Sequence, residues 1–424
     1  MGNLKIGIKE KPELGQWLLL SLQHVFAMFG ATILVPILTG LDIGVALVAC
    51  GVGTLIYIIS TKGKVPVYLG SSFAYIAAIS TAAAATGFAA AYVGLMVVGA
   101  IYTIVALIIK FTGSGWLKKL IPPVVIGPMI IIIGLGLAPV AIEQSGLLES
   151  GIETLYYPHV AESVLVWAVP LVAVITFLTV VAVASFSKGF FKIIPFIIAI
   201  LVGYGASAVL GLVDWGWFSD VQIFQVPNFT FVGTYAIDYT AILIFAPIAF
   251  VTIAEHIGDT TVIGEICEED FITDPGLDKT LLGDGVATLV SAAMGGPANT
   301  TYGENTGVVA LTKVGSVWVV GLAAVFAIIL GFLGYLQAFI ASIPWAVIGG
   351  MTIVLYGLIA ANGVKVLIKD RTDLTNIRNI IIIATMLVIG LGGAIISVGS
   401  FTMTGMALAA VVGIILNQIL PQEI

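Results

Sequence analysis

The chain has 424 residues, 60% of them hydrophobic and 9% charged, with a net charge of -7 and a mean hydropathy of +1.16. A soluble domain carries about 25% charged residues, so this composition excludes an ordinary globular protein. The acidic balance reflects acidic loops, notably Glu265 to Asp278, and points to no nucleic-acid partner.

Apolar runs of 17 or more residues recur from Trp17 to Leu420, each long enough to cross about 30 Å of hydrocarbon as a helix. Fourteen spans are predicted, centred near residues 28, 51, 75, 99, 131, 174, 203, 252, 287, 303, 325, 350, 385 and 411. The third and tenth are interrupted by polar residues and glycine, which marks them as incomplete helices and working parts. The first apolar run is too long for a signal peptide and lacks a small-residue cleavage site, so it stays as a span. Basic residues accumulate in cytoplasmic loops. With fourteen spans, all 16 Lys and Arg residues, from Lys5 to Arg378, fall on one face, while the loops Glu143 to Glu162 and Asp214 to Asp238 on the other carry acids and no base. Both termini are therefore expected in the cytoplasm. Cys50 lies in the second span and Cys267 in a predicted cytoplasmic loop, so no disulfide is expected.

Three short matches recur in order between the halves at offsets of 222 to 232 residues. Ile121-Pro122-Pro123-Val124-Val125-Ile126-Gly127 resembles Ile343-Pro344-Trp345-Ala346-Val347-Ile348-Gly349, Gln23-His24 matches Glu255-His256, and Ser71-Ser72-Phe73 matches Thr300-Thr301-Tyr302. Each pair lies seven spans apart. An odd repeat unit enters the membrane from opposite sides, which predicts a 7+7 inverted repeat of the kind found in transporters.

A charge at the bilayer centre costs about 2.5 to 3.5 kcal/mol on insertion scales, so intramembrane acids need a reason. The spans hold Glu255, His256 and Asp259 in the eighth, Asp284 in the ninth and Glu304 in the tenth, with Gln23 and His24 in the first. Glu255 and Asp259, four residues apart, share a helical face, and His256 turns about 100° away. Structural pairing inside the bundle is the plain explanation for one such acid; a cluster with Glu304 points further. The run Gly295-Gly296-Pro297-Ala298-Asn299-Thr300-Thr301-Tyr302-Gly303 and its counterpart Tyr68-Leu69-Gly70-Ser71-Ser72-Phe73 are predicted to be extended. Non-helical backbone at membrane depth survives only where protein or a cavity satisfies it. Two such segments, pairing as short antiparallel strands and each leading into a half-helix, would make a binding site. It offers carboxylates from Glu255 and Glu304, N–H groups near Phe73 and Gly303 and aromatic rings at Phe73 and Tyr302, which suit a flat heterocycle with alternating N–H and C=O groups. An inorganic anion fits worse, because no Lys or Arg is present there.

These residues resemble those of the nucleobase/ascorbate transporter (nucleobase/cation symporter-2) family, and within it the uracil carriers. The likeness covers nearly the whole chain and is carried by Ser21-Leu22-Gln23-His24, Tyr68-Leu69-Gly70-Ser71-Ser72-Phe73-Ala74, Ala254-Glu255-His256-Ile257-Gly258 and Asn299-Thr300-Thr301-Tyr302-Gly303-Glu304-Asn305. The resemblance implies an all-α polytopic protein of the bacterial inner membrane, a homodimer, with a core domain (residues 1–120 and 237–335) and a gate domain (121–236 and 336–424). It implies import of a nucleobase, uracil first, by proton rather than sodium symport through alternating access, with no cofactor, metal or enzymatic step. Substrate contacts fall on Glu255, Glu304, Phe73, Ser72, Tyr302 and Gly303, and proton coupling on Glu255, Asp259, Glu304 and His256. One departure stands out: uracil members carry histidine four residues after the first glutamate, where Asp259 here resembles purine carriers. Xanthine or uric acid is therefore the alternative substrate, ahead of an anion exchanger or channel of similar fold.

Overall fold

The computed structural model describes residues 4–148, 157, 159–235, 239–398 and 401–421. With no water in hydrocarbon to satisfy them, backbone N–H and C=O groups must pair within the chain, and helices dominate. The first half runs α1 (Leu14–Thr39), α2 (Ile43–Ser60), β1 (Leu69–Ser71), a 3-10 turn at Phe73–Tyr75 leading into α3 (Ile76–Thr86), α4 (Phe88–Thr112), the short α5 (Gly115–Leu120), α6 (Pro123–Gly136), α7 (Ala138–Gln144), α8 (Glu162–Phe186) and α9 (Pro195–Val209). The second runs α10 (Tyr239–Cys267), α11 (Leu277–Ala293), β2 (Asn299–Thr301), α12 (Gly303–Thr312), α13 (Val317–Gly331), the short α14 (Gly334–Ala341), α15 (Trp345–Lys369), α16 (Ile377–Leu391), β3 (Ile395–Val398), β4 (Phe401–Thr404) and α17 (Gly405–Ile419).

The halves repeat one order: two helices, a strand feeding a half-length helix, another helix, a short connector, then three more, with α7 prolonging α6. Every predicted centre falls in one of these elements, and the all-α polytopic fold with antiparallel strands in the third and tenth segments is as expected. The matched sequences Ile121-Pro122 and Ile343-Pro344 stand at equivalent places, Pro122 capping α6 and Pro344 capping α15. The predicted core–gate boundary at residue 335 falls inside α14.

Local chemistry sets the ends. Gly40 adopts φ 78° and its N–H donates to the Pro36 carbonyl, closing α1, and the Asp42 carboxylate accepts the Val45 N–H at 2.8 Å to open α2.

Three details correct the sequence reading. Among the described residues, seven segments are helices long and apolar enough to cross a bilayer alone; α9, α13, α16 and α17 have 15 residues each, about 22 Å. Apolar chain beyond their ends goes into turns and into the unforeseen antiparallel pair β3–β4, in which Ile395 faces Thr404. Cys267 is not in a loop but is the buried last residue of α10. The N-terminal segment, marked in the sequence only by its lysines, is structured: Ile6 bridges Val314 in parallel, the Gly315 and Val317 N–H groups donate to Ile6 and Ile8, and Lys11 Nζ lies 4.3 Å from the Trp17 ring centre. The loop after α2 is tied to the one after α10 by Lys64, whose ammonium, 2.6 Å from both Asp274 oxygens, holds that carboxyl below its usual range.

The helices pack in two groups. In one, α4 lies against α10 and α11, α2 against α11 and α13, and α1 beside α13; in the other, α15 packs on α6, α8 and α9, and α16 on α6 and α17. In the second group α6 and α15 touch backbone to backbone: a Cβ at Gly363 would lie 2.5 Å from the Gly127 carbonyl oxygen. Large apolar side chains such as Phe111, Trp167 and Leu178 are exposed outside, as a lipid-facing surface requires.

Candidate functional site

β1 and β2 meet antiparallel, Leu69 opposite Thr301, Gly70 opposite Thr300 and Ser71 opposite Asn299. The ladder is lengthened by the Ser72 N–H donating to Ala298 and the Tyr302 N–H donating to Tyr68, at 2.9 and 3.0 Å. A two-stranded ribbon still leaves an outer edge on each strand, and these edges are buried. One threonine from a neighbouring helix satisfies each. On β1, the Leu69 N–H donates to Thr54 Oγ1 of α2 at 2.9 Å, and that hydroxyl lies 3.3 Å from the Leu69 carbonyl. On β2, Thr288 of α11 accepts from the Asn299 N–H and donates to the Asn299 carbonyl, both at 3.2 Å. α2 and α11 are counterparts in the two halves, so the same solution appears twice. Neither threonine carried any signal in the sequence.

The predicted site residues separate into two sets. Glu255 and Asp259 on α10, Glu304 in the first turn of α12 and Phe73 at the start of the α3 segment are half-buried, and Gly303 is exposed. They stand on the elements that meet at the β1–β2 crossing, where α10 packs against β2, α12 and the turn before α3. The packing of α10 against α12 brings the helix carrying Glu255 and Asp259 to the one that begins with Glu304. The first N–H groups of α12 and of the turn before α3 have no acceptor inside their own helices and present a partial positive charge. The region thus combines carboxylate acceptors with backbone donors, suited to a neutral ligand bearing N–H and C=O groups on one edge.

Ser72, Tyr302 and His256 form the second set and are buried. The Tyr302 ring lies over Gly70, and its hydroxyl donates to the Ser71 carbonyl at 3.0 Å. His256, turned away from Glu255 as its spacing predicts, places Nδ1 2.8 Å from Asp284 Oδ2 of α11 and 3.3 Å from Thr301 Oγ1 of β2. Asn305 donates to the His24 carbonyl at 3.0 Å, joining α12 to α1. Asp284 was visible as a lone charge inside a span, but its partner was not. Among the described residues no group of three His, Cys, Asp or Glu side chains is arranged to hold a metal ion.

The model of one protein family, Xan_ur_permease, described as "Permease family", matches residues 15–399. The chain belongs to this permease family. It is 46% identical over 420 residues to the uracil permease of Bacillus caldolyticus, covering 98% of this chain and 94% of that one. It is 41% identical over 414 residues to the uracil permease of Escherichia coli (strain K12), covering 98% and 93%. Among solved structures it is similar to the transmembrane domain of the cyanobacterial bicarbonate transporter BicA, with TM-score 0.66 and 17% identity over 95% of this chain and 100% of that one. SLC26A9 gives TM-score 0.68 and 12% identity over 96% and 66%. At those identities the likeness concerns the fold alone. Family membership makes the chain a multi-pass membrane transport protein and not an enzyme.

Proposed function

We propose that this permease imports uracil by proton symport through alternating access. The observation that carries the reading is the pair Glu255 and Glu304, half-buried on α10 and α12 beside the crossing strands, in a chain 41 to 46% identical to relatives named uracil permeases. Uracil offers N–H groups to the two carboxylates and C=O groups to the N–H groups near Phe73 and Gly303; the Phe73 ring is the group to stack on it, and Ser72 and Tyr302 support the strands. Three acids without a nearby Lys or Arg cannot all be ionised cheaply at low dielectric. A proton taken up within Glu255, Asp259 and Glu304, with His256 as their buried neighbour, accompanies the base. Each charge carried inward then gains about 2.3 kcal/mol per 100 mV of membrane potential.

The two packing groups support a core of residues 1–120 and 237–335 moving against a gate of residues 121–236 and 336–424, in a homodimer of the bacterial inner membrane with both termini cytoplasmic. Asp259 favours one second reading, a purine carrier for xanthine or uric acid, because it adds an acceptor one turn from Glu255 on the same face. The resemblance to anion carriers does not favour anion transport here, since acids line the region.

Replacing Glu255 or Glu304 with Gln keeps shape and removes the charged acceptor, worth about 1.5 to 3 kcal/mol per hydrogen bond. Uracil uptake into proteoliposomes should fall at least about tenfold in each variant at equal membrane insertion. Full uptake by both would overturn the assignment.

A further inference from the structure

We propose that Asp284 is a positioning residue of the binding site, acting through His256 to set α10 and β2 relative to one another. The Asp284 and His256 side chains are both 0% exposed, with Nδ1 2.8 Å from Oδ2, the distance of a ring N–H donating to a carboxylate. The same nitrogen lies 3.3 Å from Thr301 Oγ1, and Nε2 lies 3.3 Å from Thr260 Oγ1. One imidazole therefore touches α10, α11 and β2.

Each of these contacts adjoins the binding residues. His256 follows Glu255 directly and precedes Asp259 by less than one turn, so fixing its ring fixes the rotation of α10 that aims both acids. Thr301 ends β2 and stands two residues before Gly303 and three before Glu304. Asp284 itself cannot drift. A Cβ at Gly283 would lie 2.8 Å from the Tyr57 ring of α2, and one at Gly285 2.8 Å from Tyr102 of α4; two helices grip α11 on either side of the carboxylate. The Tyr57 ring also meets the imidazole edge-on at 6.3 Å.

Stability alone is a poor reason for such a pair. Buried ion pairs are often replaced by apolar residues without loss, because desolvation offsets their attraction, whereas directional bonds define geometry. Ligand sites need their groups held within about 0.5 Å of the productive arrangement. The chain Asp284, His256, Thr301 supplies that constraint for the relative placement of Glu255 and Glu304.

The inference rests on the nucleobase reading, and the test separates the two. Full-length protein, purified and matched for folded fraction by thermal shift, is titrated with uracil. Asp284→Leu should weaken binding about tenfold or more, whereas Asp284→Asn, which keeps an acceptor for the imidazole, should stay within about threefold of the unmodified protein. Combining Asp284→Leu with His256→Leu should add little to either alone, as expected of residues acting in series. A folded Asp284→Leu protein with unchanged affinity would overturn the inference. Should that variant not fold, Thr301→Val decides: binding about threefold to tenfold weaker upholds the positioning role, and unchanged binding overturns it. Failure of the unmodified protein to bind uracil would instead count against the substrate reading, and the same variants are then titrated with xanthine.

Discussion

Gly70 shows how little room the site leaves at the level of single residues. A Cβ there would lie 2.1 Å from the Tyr302 ring, and the ring cannot swing aside without losing its hydroxyl bond to Ser71. Gly70→Ala should cost about 1 to 3 kcal/mol by overpacking and abolish substrate binding. Tyr302→Phe, which removes one hydrogen bond, should cost about 0.5 to 1.5 kcal/mol. Thermal shift with and without uracil checks both; a Gly70→Ala protein as stable and as competent as the original would show that the ring is free to move. The sequence made some of this legible. Helical spacing placed Glu255 and Asp259 on one face and His256 on another, and they are half-buried and buried accordingly. It did not reveal that Tyr302 is packed over a glycine 232 residues away, because no local pattern records which glycine a ring covers.

At the level of elements, the strands were legible and their anchoring was not. Glycine, proline and β-branched residues inside otherwise apolar runs announce extended chain, and both segments are strands. Their outer edges are closed by Thr54 and Thr288, ordinary threonines that helical spacing cannot single out. Thr54→Val leaves the buried Leu69 N–H unpaired, and Thr288→Val the buried Asn299 N–H and C=O, about 1 to 3 kcal/mol in each case. Each variant should melt several degrees lower and bind uracil more weakly, whereas Thr112→Val, whose hydroxyl bonds only carbonyls in and next to its own helix end, should melt as the original does. Equal melting temperatures for all three would contradict the anchoring role. The β3–β4 pair escaped notice for a related reason: Ile395–Val398 and Phe401–Thr404 are short, and a short apolar stretch reads equally well as the end of a helix.

For the molecule as a whole, the repeat was readable because three weak matches kept their order, and the two packing groups each draw helices from both halves. Alternating access requires those groups to move apart and together. Lys369 Nζ of α15 lies 2.6 Å from Glu265 Oε1 of α10, so a link there would join the two groups. With Cys50 and Cys267 replaced by Ala, Glu265→Cys and Lys369→Cys bridged by a cleavable bifunctional thiol reagent should lose uptake and regain it on reduction; undiminished uptake while bridged would refute relative motion at this boundary. The central claim is tested most directly by uptake of radiolabelled uracil into proteoliposomes under an imposed inward proton gradient, with xanthine and uric acid as competitors. The account predicts gradient-dependent accumulation that unlabelled uracil blocks and the purines do not. Absence of uracil uptake, with xanthine carried in its place, would contradict it and assign the site to purines.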